Sequence, residues 1–366
     1  MSMSDQVSND DLKSNADAYQ EAMLSRVSRT FALTIPQLPT ALRRIVGNAY
    51  LLCRIADTIE DEVTLTREQK RGFHNQFMSI VSGREEAGQF ASAIYPLLSE
   101  HTLAAERELV RNVPRVVNLT HQFSKEQRIV IERCLNIMCQ GMPEFQYHTG
   151  LGGLKDMRQL DRYCYYVAGV VGEMLTDLFC IYSPEIKKCR TSLMPLSISF
   201  GQGLQMTNIL KDLWEDRANE VCWLPHELFL KEECDLHTLT SGGYNKGFDL
   251  GLERMIAIAH THLHNALAYT LLIPSQEVGI RRFCLWAIGF AVLSLRKLRN
   301  TPGFSSSQQV KISRRSVKIV MMMANTAVHN DVILKLLFRW STHGLPSGSL
   351  DPDWAPWEIM DVSSRD

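Results

Sequence analysis

Asp57-Thr58-Ile59-Glu60-Asp61 and Asp212-Leu213-Trp214-Glu215-Asp216 concentrate carboxylates inside two otherwise apolar stretches. On a helix, residues three and four apart share a face, so Asp57 aligns with Glu60 and Asp61, and Asp212 aligns with Asp216. Two such helices facing each other would bring carboxylate oxygens together from both walls, a site for a hard cation such as Mg²⁺ carrying substrate phosphates. Either cluster alone is an ordinary pattern of a solvated helix face. The flanks argue otherwise: Ala49-Tyr50-Leu51-Leu52-Cys53-Arg54-Ile55-Ala56 precedes the first, Gly203-Leu204-Gln205-Met206-Thr207-Asn208-Ile209-Leu210 precedes the second, and both read as buried helix. Gln205, Asn208, Asp212 and Asp216 form one polar stripe along the second of these helices. Inward polar groups are costly unless satisfied, so the stripe is expected to line a wet cavity rather than a dry core.

The elements that must hold these residues are helices. Apolar residues recur at helical spacing through 16–35, 40–62, 66–82, 103–122, 124–148, 157–182, 190–218, 248–272, 275–299, 305–325 and 328–341, and no alternating strand pattern stands out. Thr66 with Gln69 and Ser124 with Gln127 fit capping boxes. Pro36 and Pro39, Gly150 to Gly153, Ser241 to Gly243, and Thr301-Pro302-Gly303 mark turns. No linker long enough to separate domains is evident, so one all-α domain over 1–366 is expected, with an irregular tail over 342–366.

Composition restricts the function classes. The chain has 366 residues, 45% hydrophobic and 22% charged, which is ordinary for a globular protein with a sizeable core. A net charge of −1 gives no overall attraction to nucleic acid or to an anionic membrane. Nine cysteines without a CxxC pair point to free buried thiols in a reducing compartment. The acidic start lacks an apolar leader, no run of about 18 uncharged apolar residues occurs, and the end Val362-Ser363-Ser364-Arg365-Asp366 does not read as a tail anchor. A cytoplasmic protein, at most peripherally associated with membrane, is expected.

Three further segments have chemical potential. Ser28-Arg29-Thr30-Phe31, with Arg54 three residues before Asp57, supplies guanidinium groups whose forks match phosphate oxygens. In Tyr163-Cys164-Tyr165-Tyr166-Val167-Ala168-Gly169-Val170-Val171-Gly172, the mid-helix glycines imply a close neighbour, a packed helix or a ligand, and Tyr163 shares a face with Val167 and Val170. Val310-Lys311-Ile312-Ser313-Arg314-Arg315 is a short basic run at a helix start. His260 and His264, at i and i+4, lack a third ligand nearby, and an exposed or capped helix face accounts for them better than zinc does.

Taken together, Ser28-Arg29-Thr30-Phe31, Arg54 with Asp57-Thr58-Ile59-Glu60-Asp61, Tyr163 to Gly169, and the Gln205, Asn208, Asp212, Asp216 stripe resemble the squalene and phytoene synthase family, in the family's order and over most of the chain. The resemblance implies an all-α isoprenoid synthase fold, a helical bundle around a central cavity. It also implies that Asp57, Glu60, Asp61, Asp212 and Asp216 hold Mg²⁺ bridging the diphosphates of two allylic prenyl substrates. The squalene branch is the closer likeness, through the DTxED form of the first cluster, Phe283-Cys284 and the segment at Val310-Lys311-Ile312. Substrate contacts are then implied for Ser28, Arg29, Phe31, Tyr50, Arg54, Gln205, Asn208 and Lys211, and NADPH contacts for Arg29, Arg54, Lys211, Lys311 and Arg314. Lys211 stands where the family usually has arginine, and Ser313 where squalene synthases usually have one.

The implied reaction is head-to-head condensation of two farnesyl diphosphates to presqualene diphosphate, followed by NADPH-dependent rearrangement to squalene. Tyr163 is a candidate for the proton transfer, although a phenol of pKa about 10 is awkward as an unaided base and released diphosphate is an alternative acceptor. Phe31 and Phe283 are candidates to stabilise cationic carbon by cation–π contact. The alternatives are the same condensation without reduction, giving dehydrosqualene or phytoene, chain elongation or terpene cyclisation, and a non-catalytic prenyl-lipid binding protein.

Overall fold

The computed structural model describes residues 9–145, 150–241 and 245–350. Among them no strand occurs, only an isolated bridge between Leu154 and Pro225, so the all-α expectation is met. The chain forms two compact units, Met1–Pro143 and Glu144–Asp366.

In the first unit the long helices are α1 (Asn9–Val27), α2 (Thr40–Asp61), α3 (Arg67–Val81) and α4 (Lys125–Gly141), with shorter helices at Ala87–Ile94, Ala104–Arg111 and Val113–Thr120. Helix α2 is central and buries Leu42, Ile45, Val46, Ala49, Leu51, Leu52, Ile55, Ala56 and Ile59. Its one fully buried amide is satisfied: Asn48 donates to Val116 O at 2.9 Å and accepts from Thr120 Oγ1 at 2.8 Å. Both expected capping boxes are present, at Thr66 with Gln69 and at Ser124 with Gln127. The end of α2 is fixed by Glu62, which accepts from Thr64 N and Ser99 N and from Thr102 Oγ1. Burial alone would raise the Glu62 pKa, but these bonds, led by that from Thr102, hold it down to about 2.

The second unit contains α5 (Met157–Cys164), a π turn at Tyr165–Gly169, α6 (Val170–Tyr182), α7 (Arg190–Ala218), α8 (Lys246–Leu272), α9 (Val278–Arg299), α10 (Arg314–Ala327) and α11 (Asp331–Ser341). The close neighbour that Gly169 and Gly172 imply is helix α7. A Cβ at Gly172 would lie 2.2 Å from Ser197 O, and one at Gly201 would lie 2.2 Å from Ala168 O, so the two backbones touch. Buried Arg281 on α9 donates to Ile273 O at 2.8 Å and Val328 O at 2.9 Å, and pairs with Asp331 at 2.8 Å, tying together the ends of three helices.

Two spans, Met157–Tyr182 and Val278–Arg299, are long and apolar enough to cross a membrane, but 61% and 72% of their most apolar windows are buried inside the protein, as for core helices. All nine cysteines are free, and all but Cys189 are buried, as expected.

Several expected helices are interrupted. The 16–35 stretch breaks at Ser28–Thr30 before a short turn of helix at Phe31–Thr34. The 103–122 stretch breaks at Asn112, because Pro114 starts a new helix where its missing N–H is not needed. The 305–325 stretch breaks at Lys311–Ser313, with Ser313 Oγ capping α10 by accepting from Ser316 N at 3.0 Å. Of the expected irregular tail, 342–350 carries no helix and 351–366 lies outside the described residues, as do 146–148 of the 124–148 stretch and Gly242 and Gly243 of one expected turn. Of the His260 and His264 pair, His264 is exposed as expected, whereas His260 is buried with Nδ1 donating to Pro346 O at 2.9 Å; His262, on a different face, is also buried, its Nδ1 lying 2.8 Å from Ser199 Oγ. The apolar positions around His260 and His262 on α8 pack in the core, and these two histidines follow those positions inward.

Gly201→Ala should destabilise the protein by about 1–3 kcal/mol, because neither backbone can move aside. Gly72→Ala, in α3 with nothing within 4 Å of the added Cβ, should instead stabilise it by about 0.5–1 kcal/mol. Denaturant unfolding of both variants checks the opposite signs.

Candidate active site

On α2, Ile55, Ala56, Thr58 and Ile59 are buried, while Asp57 and Glu60 are half-buried and Asp61 is exposed. The helix therefore turns its apolar side inward and leaves the carboxylates on the remaining stripe. Arg54, one turn earlier, lies 3.8 Å from Asp57 and donates through Nε to Glu106 Oε1 at 3.0 Å, with Nη2 reaching the same oxygen. Glu106 is itself buried, so the guanidinium is held in place by a carboxylate from another helix. Lys70 Nζ donates to the backbone oxygen of Glu60 and supports the last turn of α2.

Desolvation pushes the Asp57 pKa up to about 7, only partly offset by Arg54 and reinforced by Asp61, Glu106 and Glu60. The Asp61 pKa is raised for the same leading reason. Crowded carboxylates with raised proton affinity are a donor set that a divalent cation relieves, so these oxygens suit Mg²⁺. Nearby in this unit, Phe31 N donates to Ser28 Oγ at 3.1 Å, and the Phe31 ring lies 4.8 Å from that of Tyr50. Arg29 is exposed.

The second cluster lies on α7. Met206, Thr207, Ile209, Leu210, Leu213 and Trp214 are buried, whereas Gln205, Asp212 and Asp216 are half-buried and Asn208 is exposed, so the polar stripe is accessible along a packed helix. Lys211 Nζ lies 3.1 Å from Asp212 and donates to Asn208 Oδ1 at 3.1 Å, neutralising one end of the stripe. Glu215 turns away and accepts from Ser307 N at 2.9 Å. Burial opposes its ionisation, but the bonds from Ser307 lower its pKa. That bond, with Phe304 against Trp214 at 6.3 Å, seats the short helix Ser307–Val310 on α7 and so sets where exposed Lys311 and Arg314 begin.

Tyr163 is half-buried, its ring stacked on Trp223 at 3.9 Å and 9° and edge-on to Phe145 at 5.4 Å. The intervening π turn widens the helix, so the face shared with Val167 and Val170 cannot be counted by ordinary helical spacing. Phe283 is buried on α9 against Phe179 at 6.3 Å. Glu106 and Trp223 were not singled out by sequence, and Glu215, although named in the second cluster, was given no role. The only signal for Glu106 is an acid on the inward face of a strongly amphipathic helix, and Trp223 carries no pattern at all.

An all-α fold whose packed helices carry accessible carboxylate stripes is consistent with the all-α isoprenoid synthase class, and similarity to known proteins places the chain there. Residues 24–316 match the squalene/phytoene synthase family, and the chain belongs to that family. It is 29% identical to the Botryococcus squalene synthase of Botryococcus braunii over 78% of this chain and 58% of that protein. It is 27% identical to the squalene synthase of Schizosaccharomyces pombe over 86% of this chain and 66% of that protein. The chain thus spans roughly half to two thirds of the length of such relatives. Among solved structures, TcSQS in complex with BPH1237 superposes with a TM-score of 0.74 at 21% identity, over 95% of this chain and 96% of that one. A dehydrosqualene synthase in complex with a ligand gives 0.63 at 18% identity, over 86% and 97%. At these identities the superpositions establish the shared fold.

In chelator-treated protein, the folded pKa of Asp57 lies above its value of 3.8 in the unfolded chain, so the folded state holds a proton that the unfolded state has released. Its contribution to stability is present below about pH 4 and is lost as pH rises through about 7. Asp57→Asn should therefore raise the melting temperature most at about pH 8 and least at about pH 4. Equal melting temperatures at the higher pH would mean that solvent screens the carboxylate fully.

Proposed function

We propose that this chain condenses two farnesyl diphosphates head to head to presqualene diphosphate and converts that intermediate reductively to squalene. The observation that carries the reading is the pair of carboxylate stripes on largely buried helices, the first with Asp57 held near neutrality in proton affinity. A solvated surface would not raise it so far. Family membership and the likeness to squalene synthases support the same reading.

Asp57, Glu60 and Asp61 on α2 and Asp212 and Asp216 on α7 would hold Mg²⁺, which neutralises departing diphosphate and so promotes ionisation of an allylic substrate. Lys211, beside Asp212, adds a cation for diphosphate oxygens. Arg54, fixed by Glu106, orients Asp57 and offers its remaining N–H groups to a substrate diphosphate. The aromatic pair Phe31 and Tyr50 excludes water and presents ring faces that tolerate carbocationic charge. Tyr163, its ring clamped by Trp223, keeps its hydroxyl fixed for a proton transfer. Lys311 and Arg314 would hold the phosphates of NADPH, the hydride source. Ser313, where squalene synthases usually have arginine, supplies no cation and instead caps α10 through its hydroxyl.

Asp57→Ala and Asp212→Ala should each abolish diphosphate release from farnesyl diphosphate at saturating Mg²⁺ while leaving the helical circular dichroism intact. Near-normal turnover in both would remove the metal reading. Tyr163→Phe retains the stack on Trp223, so a slowed first half-reaction with little loss of stability assigns the hydroxyl to chemistry.

Incubation of the wild-type chain with farnesyl diphosphate and Mg²⁺, with and without NADPH, should give squalene only with the reductant, read by mass spectrometry. Lys311→Ala should raise the NADPH requirement and divert product to unreduced or hydroxylated C30 compounds. Identical products with and without NADPH would instead assign a non-reductive synthase of dehydrosqualene or phytoene.

A further inference from the structure

We infer that His226, Asp235 and His237 form a binding site for a divalent transition-metal ion of the Zn²⁺ class, apart from the carboxylate stripes. One donor atom from each residue lies within 4.8 Å of the others, the only such group of three among the described residues. The two imidazole rings are 5.7 Å apart.

The tautomer of His226 is set by its surroundings. Its Nδ1 lies 3.0 Å from Gly152 O, and a carbonyl only accepts, so Nδ1 carries the proton and the lone pair is on Nε2. Histidine ligands are commonly held in this way, with the other ring nitrogen donating to a backbone carbonyl. Asp235 Oδ1 accepts from His237 N at 2.9 Å, which orients the carboxylate and leaves Oδ2 for a ligand bond. His237 packs directly over Gly152, where a Cβ would fall 2.4 Å from the ring, so the absent side chain is what admits the imidazole.

The three segments are tied together by hydrogen bonds within the protein. Arg217, in the last turn of α7, donates to Leu151 O at 2.9 Å, Leu236 O at 2.9 Å and Leu239 O at 2.7 Å. His226 N donates to Leu154 O at 2.6 Å. Two imidazoles and one carboxylate favour Zn²⁺, Co²⁺ or Ni²⁺ over Mg²⁺, which prefers oxygen donors. Tetrahedral Zn²⁺ with ligand bonds of about 2.0–2.2 Å places donors about 3.3 Å apart. Small rotations of Asp235 and His237, both exposed, close the remaining gap. Three protein ligands leave a coordination position for water or a small anion.

The test uses the full chain, freed of any affinity tag, stripped with chelator and kept in saturating Mg²⁺. Zn²⁺ is titrated by calorimetry and Co²⁺ by visible absorbance. The expected result is about one equivalent of Zn²⁺ and the intense absorption of low-coordinate Co²⁺, as three protein ligands and one open position require. Affinity should fall about 100-fold or more in His226→Ala and His237→Ala. Asp235→Asn keeps an acceptor for His237 N and should still weaken binding, while Asp212→Ala should leave it intact. Should His226→Ala not fold, the exposed His237 and Asp235 variants decide the matter. Absence of stoichiometric Zn²⁺ binding in the wild type, binding unchanged in His237→Ala, or binding lost in Asp212→Ala overturns the assignment.

Discussion

A helix buried over most of its circumference can carry carboxylates only along the stripe that solvent or a cation reaches, and both acidic helices obey that limit. On α2, Ile55, Ala56, Thr58 and Ile59 are packed while Asp57, Glu60 and Asp61 remain accessible. Accessibility does not make the charges comfortable: desolvation moves Asp57 to about pH 7 in proton affinity despite Arg54 beside it. Such a residue is a poor choice for stability and a good one for gripping a cation, the tension expected where a candidate site meets the fold that holds it. The hydrogen bonds gathered by Glu62 and the support of Lys70 fix the end of α2, where that tension is greatest.

Close backbone approach is the second requirement. The α5–α6 segment and α7 touch through Gly172 against Ser197 and Gly201 against Ala168, a spacing that no side chain at either glycine would allow. The π turn at Tyr165–Gly169 lies in the same contact and shifts the register between α5 and α6. Tyr163 is thereby presented against Trp223 independently of the face that α6 packs into the core. A π turn leaves backbone groups less well paired than an α-helix does, and such turns occur often at functional sites.

Helix α7 also organises its surroundings through one member of the second cluster and the arginine just after it. Glu215 reaches Ser307 N and seats the segment leading to Lys311, and Arg217 gathers the carbonyls of Leu151, Leu236 and Leu239. One helix thus carries the polar stripe, anchors the basic run and holds the loops around His226 and His237. Glu215 and Arg217 lie two residues apart, so both sets of bonds start from the last turns of the same helix.

Helix identity, the two capping boxes, the carboxylate stripes and the accessible face of α7 follow from interactions between residues three and four apart, and for that reason the sequence alone determined them. Helix breaks at Asn112 and Lys311–Ser313 were less legible because the apolar pattern continues across them. Partnerships between segments distant along the chain were not legible at all. Glu106 meeting Arg54, Glu215 meeting Ser307, Trp223 stacking on Tyr163, and His226 joining Asp235 and His237 each depend on how loops close, which no local spacing encodes. The burial of His260 and His262, and the near-neutral proton affinity of Asp57, were likewise decided by tertiary structure, since desolvation is a property of what packs around a group and not of the residues beside it in sequence.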